Sequence, residues 1–150
     1  MVLVVGATGL VGSEVCQRLI RRGEPVRALV RATSSKEKTE ALRASGVELC
    51  VGDLKDPQSI VAACRGVNAV ISTASSILTR QPGDLIESVD AAGQLNLVNA
   101  AKGANVGRFL FVSFRRPPSI SFPLSDAKEQ VENCRSKVRM SYLGKVEMSY

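Results

Sequence analysis

The chain has 150 residues, 45% hydrophobic and 23% charged, with 20 Lys/Arg against 14 Asp/Glu for a formal net charge of +6. That is enough chain for one domain with its own core. It contains no His or Trp and only 4% aromatic residues, which excludes histidine catalysis, histidine metal ligands and an aromatic platform for single-stranded nucleic acid.

The elements follow in order. Val2 to Val5 have no polar alternation, as expected of a parallel strand covered on both faces. Gly6, Gly9 and Gly12 come directly after, and Val11, Val15, Leu19 and Ile20 give the next segment an apolar face at helical spacing, with Gly23 as its C-terminal cap. Val26 to Val30 form a second strand that ends at Arg31. Ser34 or Ser35 caps a short helix ending at Gly46, and Val47 to Val51 form a third strand leading into Gly52-Asp53-Leu54. Asp56-Pro57 is an N-cap followed by proline in the first helical turn, and that helix stops at Gly66. A fourth strand lies within Asn68 to Ser72. Pro82-Gly83 breaks the chain, Asp84 and Glu87 resemble a capping box, and a long helix runs to about Lys102. A fifth strand lies within Arg108 to Ser113. Arg115-Arg116-Pro117-Pro118 make a stiff loop, and Ser125 to Cys134 read as helix. Residues 133–150 form an irregular basic segment in which Val138 to Leu143 offer a partial sixth strand. Alternating strand–helix units predict an α/β, doubly wound parallel sheet of Rossmann type over residues 1–132, ordered 3-2-1-4-5 with the partial sixth strand.

Cys16, Cys50, Cys64 and Cys134 form no C-x-x-C pair and no zinc spacing, so no metal site is expected and the thiols read as small hydrophobes in a reducing compartment. No apolar run approaches membrane-spanning length, so no membrane contact is expected. The N-terminus enters the first strand directly. A cytoplasmic protein is therefore expected, or an organellar one if an upstream targeting segment is missing. Arg18, Arg21, Arg22, Lys36 and Lys38 mostly describe a solvated helix face, and nucleic acid is not expected as a partner.

The glycines carry the chemistry. A strand feeding a glycine loop and then a helix collects backbone N–H groups and the positive helix end at one point, where a pyrophosphate is the natural guest. The spacing is G-x-x-G-x-x-G rather than the G-x-G-x-x-G dehydrogenase fingerprint. Gly6, Gly9 and Gly12 would cradle the pyrophosphate, with Ala7, Thr8, Leu10 and Val11 lining it through their backbone; Thr8 is either a side-chain donor or a turn threonine. An acid at the end of the second strand would select NAD by bonding the ribose 2′-hydroxyl. Arg31 stands there instead, a planar fork suited to phosphate oxygens, with Thr33, Ser34 and Lys36 to assist. NADP(H) is therefore preferred as cofactor and NAD(H) remains open. Asp53 would accept from the adenine amine and Leu54 would pack on its ring, Asp53 being otherwise a turn residue. Ser72, Thr73 and Ala74 end the fourth strand beside the nicotinamide half of the crevice.

In order, GATGLVG at Gly6–Gly12, Gly52-Asp53-Leu54, the stretch Val89 to Ala101, Arg108 to Ser113 and the segment Ala127-Lys128 to Glu132 resemble the NmrA-like branch of the atypical short-chain dehydrogenase/reductase superfamily. The resemblance covers roughly residues 1–132. It implies a dinucleotide-binding Rossmann domain, places Ser113 in the catalytic-serine region, and makes Lys128 a candidate to hold the nicotinamide ribose; the alternatives are a strand-end serine and a solvated helix lysine. It also marks two departures. The superfamily pairs its lysine with a tyrosine four residues earlier, and here Leu124 occupies that place. Members of the branch continue further, so the chain has the form of a truncated member. The expectation is an NADP(H)-binding protein with one of two roles. It is either a reductase of a small carbonyl or enone substrate, or a non-catalytic redox-sensing regulator that reports the dinucleotide to a protein partner.

Overall fold

A computed structural model of the chain describes residues 1–77, 81–113, 122–134 and 139–143. The apolar run Val2–Val5 forms β1 at the centre of a parallel sheet. It pairs on one side with β2, Val26–Val30, and on the other with β4, Ala69–Ser72, with Val2 opposite Val26 and Ala69. β3 (Glu48–Val51) lies outside β2, and β5 (Arg108–Val112) outside β4. β6 (Arg139–Leu143) extends the sheet beyond β5, for an order of β3-β2-β1-β4-β5-β6. The order reverses between β1 and β4, the switch point at which α/β sheets open a crevice at the carboxyl ends of their strands.

Side chains alternate across β1. Val4 packs with Ala28, Val30, Cys16 and Leu42 on the face covered by α1 (Leu10–Arg21) and α2 (Lys36–Ala44). Leu3 and Val5 pack on the other face with Ile60, Leu97, Val98, Phe109 and Val131. That face is covered by α3 (Pro57–Ala63), α4 (Gln94–Gly103) and α5 (Pro123–Asn133). Burial on both faces is why the central strands read as apolar runs. Cys16 and Cys64 lie in these cores, and burial pushes each thiol up to about 11, keeping it protonated near neutral pH.

The structure refines several expected boundaries. Ser35, not Ser34, caps α2, accepting from the Lys38 N–H; Ser34 instead accepts from the Arg31 N–H at 3.0 Å. Asp56 caps α3 as its Asp-Pro pair predicted, accepting from the Gln58 N–H at 3.0 Å. The Asp84/Glu87 capping box does not form. The helix starts at Ile86, and Ser88 performs the reciprocal bonding, accepting from the Leu85 N–H and donating to the Leu85 carbonyl. Asp84 is held elsewhere by cations. This helix opens with wide π-type turns over Ile86–Gly93 before α4 continues it, and those turns bury Asp90 and Gln94 together. α5 begins at Pro123, two residues before the expected Ser125, whose hydroxyl bonds both backbone groups of Phe122. The loop Arg115-Arg116-Pro117-Pro118 lies outside the described residues.

Candidate functional site

The glycine loop is built by close contacts. Gly6 has φ +84°, and a Cβ there would lie 2.7 Å from both the Ala74 nitrogen and the Thr73 hydroxyl. That hydroxyl donates to the Val5 carbonyl at 3.1 Å, tying the loop to the end of β4. A Cβ on Gly12 would lie 2.2 Å from the Gly6 carbonyl oxygen, so α1 sits directly on the loop backbone. Gly9 differs. Its φ is −81°, it is the N-cap of α1, and an added Cβ would meet only the Gly6 oxygen, at 3.2 Å. Among the described residues no side chain caps α1, and no acid stands in its first turn, so the first N–H groups of a 12-residue helix are left for an outside acceptor. Leu10 and Val11 turn their side chains to solvent, whereas Ala7 is buried under the loop. The donor set and the open Gly9 position fit a pyrophosphate.

A cleft open to solvent continues from this loop across the ends of β2 and β3. Gly6, Thr8, Arg31, Ser34, Asp53, Leu54, Ala74 and Asp84 are among the residues that line it. Leu54 supplies an apolar wall. Asp53 serves its own turn, accepting from the Lys55 N–H at 2.8 Å, and still faces the cleft. Arg31 is already engaged, its Nη1 donating to Asp84 Oδ2 at 2.6 Å. Lys55 donates to the other Asp84 oxygen at 2.7 Å, and the Gln81 N–H donates to Oδ2 at 3.1 Å. Asp84 is only 2% exposed. Burial raises its pKa, but the bonds from Lys55, the Gln81 N–H and Arg31 outweigh this and hold the carboxyl at about 2.

Beyond the end of β4 lies a second, buried polar group. Ser72 donates to Gln94 Oε1 at 2.8 Å, and Gln94 Nε2 donates to the Ala74 carbonyl at 3.1 Å. Asp90 Oδ2 accepts from the Ser76 backbone at 3.0 Å and the Ser76 hydroxyl at 2.6 Å, while its buried Oδ1 has no hydrogen-bond partner among the described residues. Lys128 is 8% exposed, donates to the Val112 carbonyl at 3.0 Å and sits 4.6 Å from the Phe111 ring centroid. Burial lowers its pKa below the ordinary lysine value, against the opposing pull of Asp90 and Glu132.

The expected residues thus fall into three places. Gly6, Gly9, Gly12, Thr8, Arg31, Asp53, Leu54 and Ala74 gather around the loop and cleft. Thr73 and Ser72 act from behind, on backbone and on Gln94. Lys36 is exposed at the start of α2 and does not line the cleft, and Ser113 donates to Glu132. Sequence reasoning missed Asp84 and Lys55 because their partners are distant in the chain. Asp84 also carried a plausible local role as a cap. Asp90 and Gln94 share one helix face four positions apart, a spacing that could have marked them.

Comparison with known proteins bears on the family and the fold. The NmrA-like family profile matches residues 1–144. The chain is 34% identical over 143 residues to the photosystem II assembly factor Ycf39 of Trieres chinensis, covering 93% of this chain and 43% of that one. It superimposes with TM-score 0.74 and 25% identity on a short-chain dehydrogenase/reductase superfamily protein from Agrobacterium tumefaciens with bound NAD, covering 95% and 48% of the two chains. An Escherichia coli NADPH-dependent quinone oxidoreductase complexed with NADPH shares the fold at TM-score 0.73 and 24% identity, with 95% and 47% covered. The chain spans less than half the length of these relatives. No helix among the described residues is long and apolar enough to cross a membrane.

Proposed function

The chain belongs to the NmrA-like family, and from that premise we propose that it binds NADP(H) in the cleft at the carboxyl edge of its sheet. The observation that carries this reading is the uncapped, acid-free N-terminus of α1, presented by Gly6, Gly9 and Gly12 at the mouth of a cleft that also holds Arg31, Asp53 and Leu54. In it, the α1 N–H groups would receive the pyrophosphate, Leu54 and Asp53 the adenine, and Arg31 the 2′-phosphate. NAD(H) would bind through the same loop without the last contact. When bound, the cofactor supplies or accepts a hydride. Lys128 would orient its nicotinamide ribose and Ser113 would stand at the strand end beside it. Calorimetric titration of the chain with NADPH and NADH tests the reading, with Gly9→Val as control. Unchanged affinity in a folded Gly9→Val would overturn the loop assignment.

Two roles fit this binding. A reductase of a small carbonyl or enone would take hydride from NADPH and a proton from water or from the substrate itself. A regulator would bind the dinucleotide without turnover and report it to a protein partner. Leu124, at the place where the superfamily puts its proton-donating tyrosine, favours the regulator. Kinship to an assembly factor agrees with it. It also supports an organelle as the alternative to the cytoplasm.

A further inference from the structure

We propose that Asp84 sets the balance between NADP(H) and NAD(H), acting as a built-in anion that a 2′-phosphate must share Arg31 with. The inference rests on the nucleotide reading above and concerns only its adenosine end.

A free arginine at the end of β2 would favour the phosphorylated cofactor. Here the arginine is already paired. Asp84 bridges Arg31 and Lys55, one on each carboxylate oxygen, at 2.6 and 2.7 Å. Lys55 also lies 3.9 Å from Asp53 Oδ2. Two cations therefore face two carboxylates, and the group as folded carries no net charge. A ribose 2′-hydroxyl adds none. A 2′-phosphate adds negative charge beside a buried carboxylate that remains ionised near neutral pH.

Asp84 does not move aside easily. Its Oδ2 also accepts from the Gln81 N–H, and Thr33 donates to Gln81 Oε1 at 2.7 Å, a second tie between the β2–α2 loop and the segment 81–84. The segment and Arg31 are thus held together before any ligand arrives. The pairing uses Nη1 of the guanidinium, so the geometry leaves Arg31 able to meet either cofactor while lowering the advantage of the phosphate. Asp84 is a specificity residue contributed by the loop before the π-type turns, not by β2, where sequence patterns look for one.

The test compares the intact chain with Asp84→Asn and Lys55→Gln, each titrated with NADPH and with NADH near neutral pH, with folding followed by circular dichroism. Asp84→Asn keeps the shape and removes the competing charge. It should raise the ratio of NADPH to NADH affinity about tenfold, mainly through NADPH. Lys55→Gln takes away a cation and leaves Asp84, so it should lower that ratio. If Asp84→Asn does not fold, the Lys55→Gln ratio decides alone, an unchanged or raised value overturning the proposal. A ratio unchanged or lowered in folded Asp84→Asn would show that the carboxylate only orients Arg31, overturning this inference while the nucleotide reading stands. Failure of the parent chain to bind either dinucleotide would overturn both.

Discussion

The three glycines do different work, and substitution separates them. Gly12→Ala drives a methyl into the Gly6 carbonyl, 2.2 Å from its oxygen, where the two nearest atoms are backbone and the third is the Thr73 hydroxyl at 2.8 Å. We expect it to destabilise the fold by about 3 kcal/mol, the upper range for overpacking, as read by urea unfolding. At Gly9 an added Cβ meets only the Gly6 oxygen, at 3.2 Å, so Gly9→Val should leave the domain folded while dinucleotide binding is lost. Arg31→Gln makes the complementary prediction at the other end of the cleft. Loss of a charge-assisted bond should weaken NADPH by about 1.5–3 kcal/mol and change NADH less; equal losses in calorimetric titration would mean that Arg31 does not read the 2′-phosphate. The glycine pattern was legible because a tight strand–turn–helix needs it locally. The pairing of Arg31 was not, because its partner lies 53 residues away and no short-range pattern joins them.

At the scale of elements, the segment 81–84 links β2, the β3–α3 turn and the helix that follows, and its stability should depend on acid. The Asp84 carboxyl is held at about 2 against an ordinary value of 3.8. A depressed carboxylate stabilises the fold at pH values above its unfolded pKa, and that contribution is lost as pH falls through the folded one. The difference amounts to about 2 kcal/mol. Urea unfolding followed from about pH 5 down to about pH 2 should show this acid-dependent loss in the parent chain and its absence in Asp84→Asn. Lys128 costs stability where Asp84 adds it, although both contributions become more favourable as pH rises. Burial lowers its pKa, so the cost of holding it charged is present below the folded pKa and disappears as pH rises towards the unfolded value. The elements themselves were mostly legible, since apolar runs, Ser35, Asp56-Pro57 and the closing glycines are local signals. The start of the long helix was not. Asp84 had the right chemistry for a cap, but two cations brought by the fold offered it stronger partners than a backbone N–H.

For the molecule as a whole, the sheet order delivers an open cleft at the carboxyl ends of its strands, while the residues beyond β4 and β5 decide whether chemistry follows. Leu124 offers no proton, and Lys128 is buried with one of its three N–H groups donated to the Val112 carbonyl. The chain should therefore bind NADPH and show no oxidation of it with simple aldehydes, ketones or quinones. Loss of NADPH absorbance is the assay, with Gly9→Val as control. Turnover that vanishes in that control would make this chain a reductase.

The sequence by itself determined the α/β order, the central apolar strands, the glycine loop and the family. Each of these depends on local patterning or on motifs in linear order, which survive without knowledge of distant contacts. Only the tertiary structure decided which charges meet. It placed Asp84 between Arg31 and Lys55, drew Ser72 onto Gln94, and buried Lys128 beside Phe111. Electrostatic pairing depends on distance in space, and β strands adjacent in the sheet bring together residues that the chain keeps tens of positions apart.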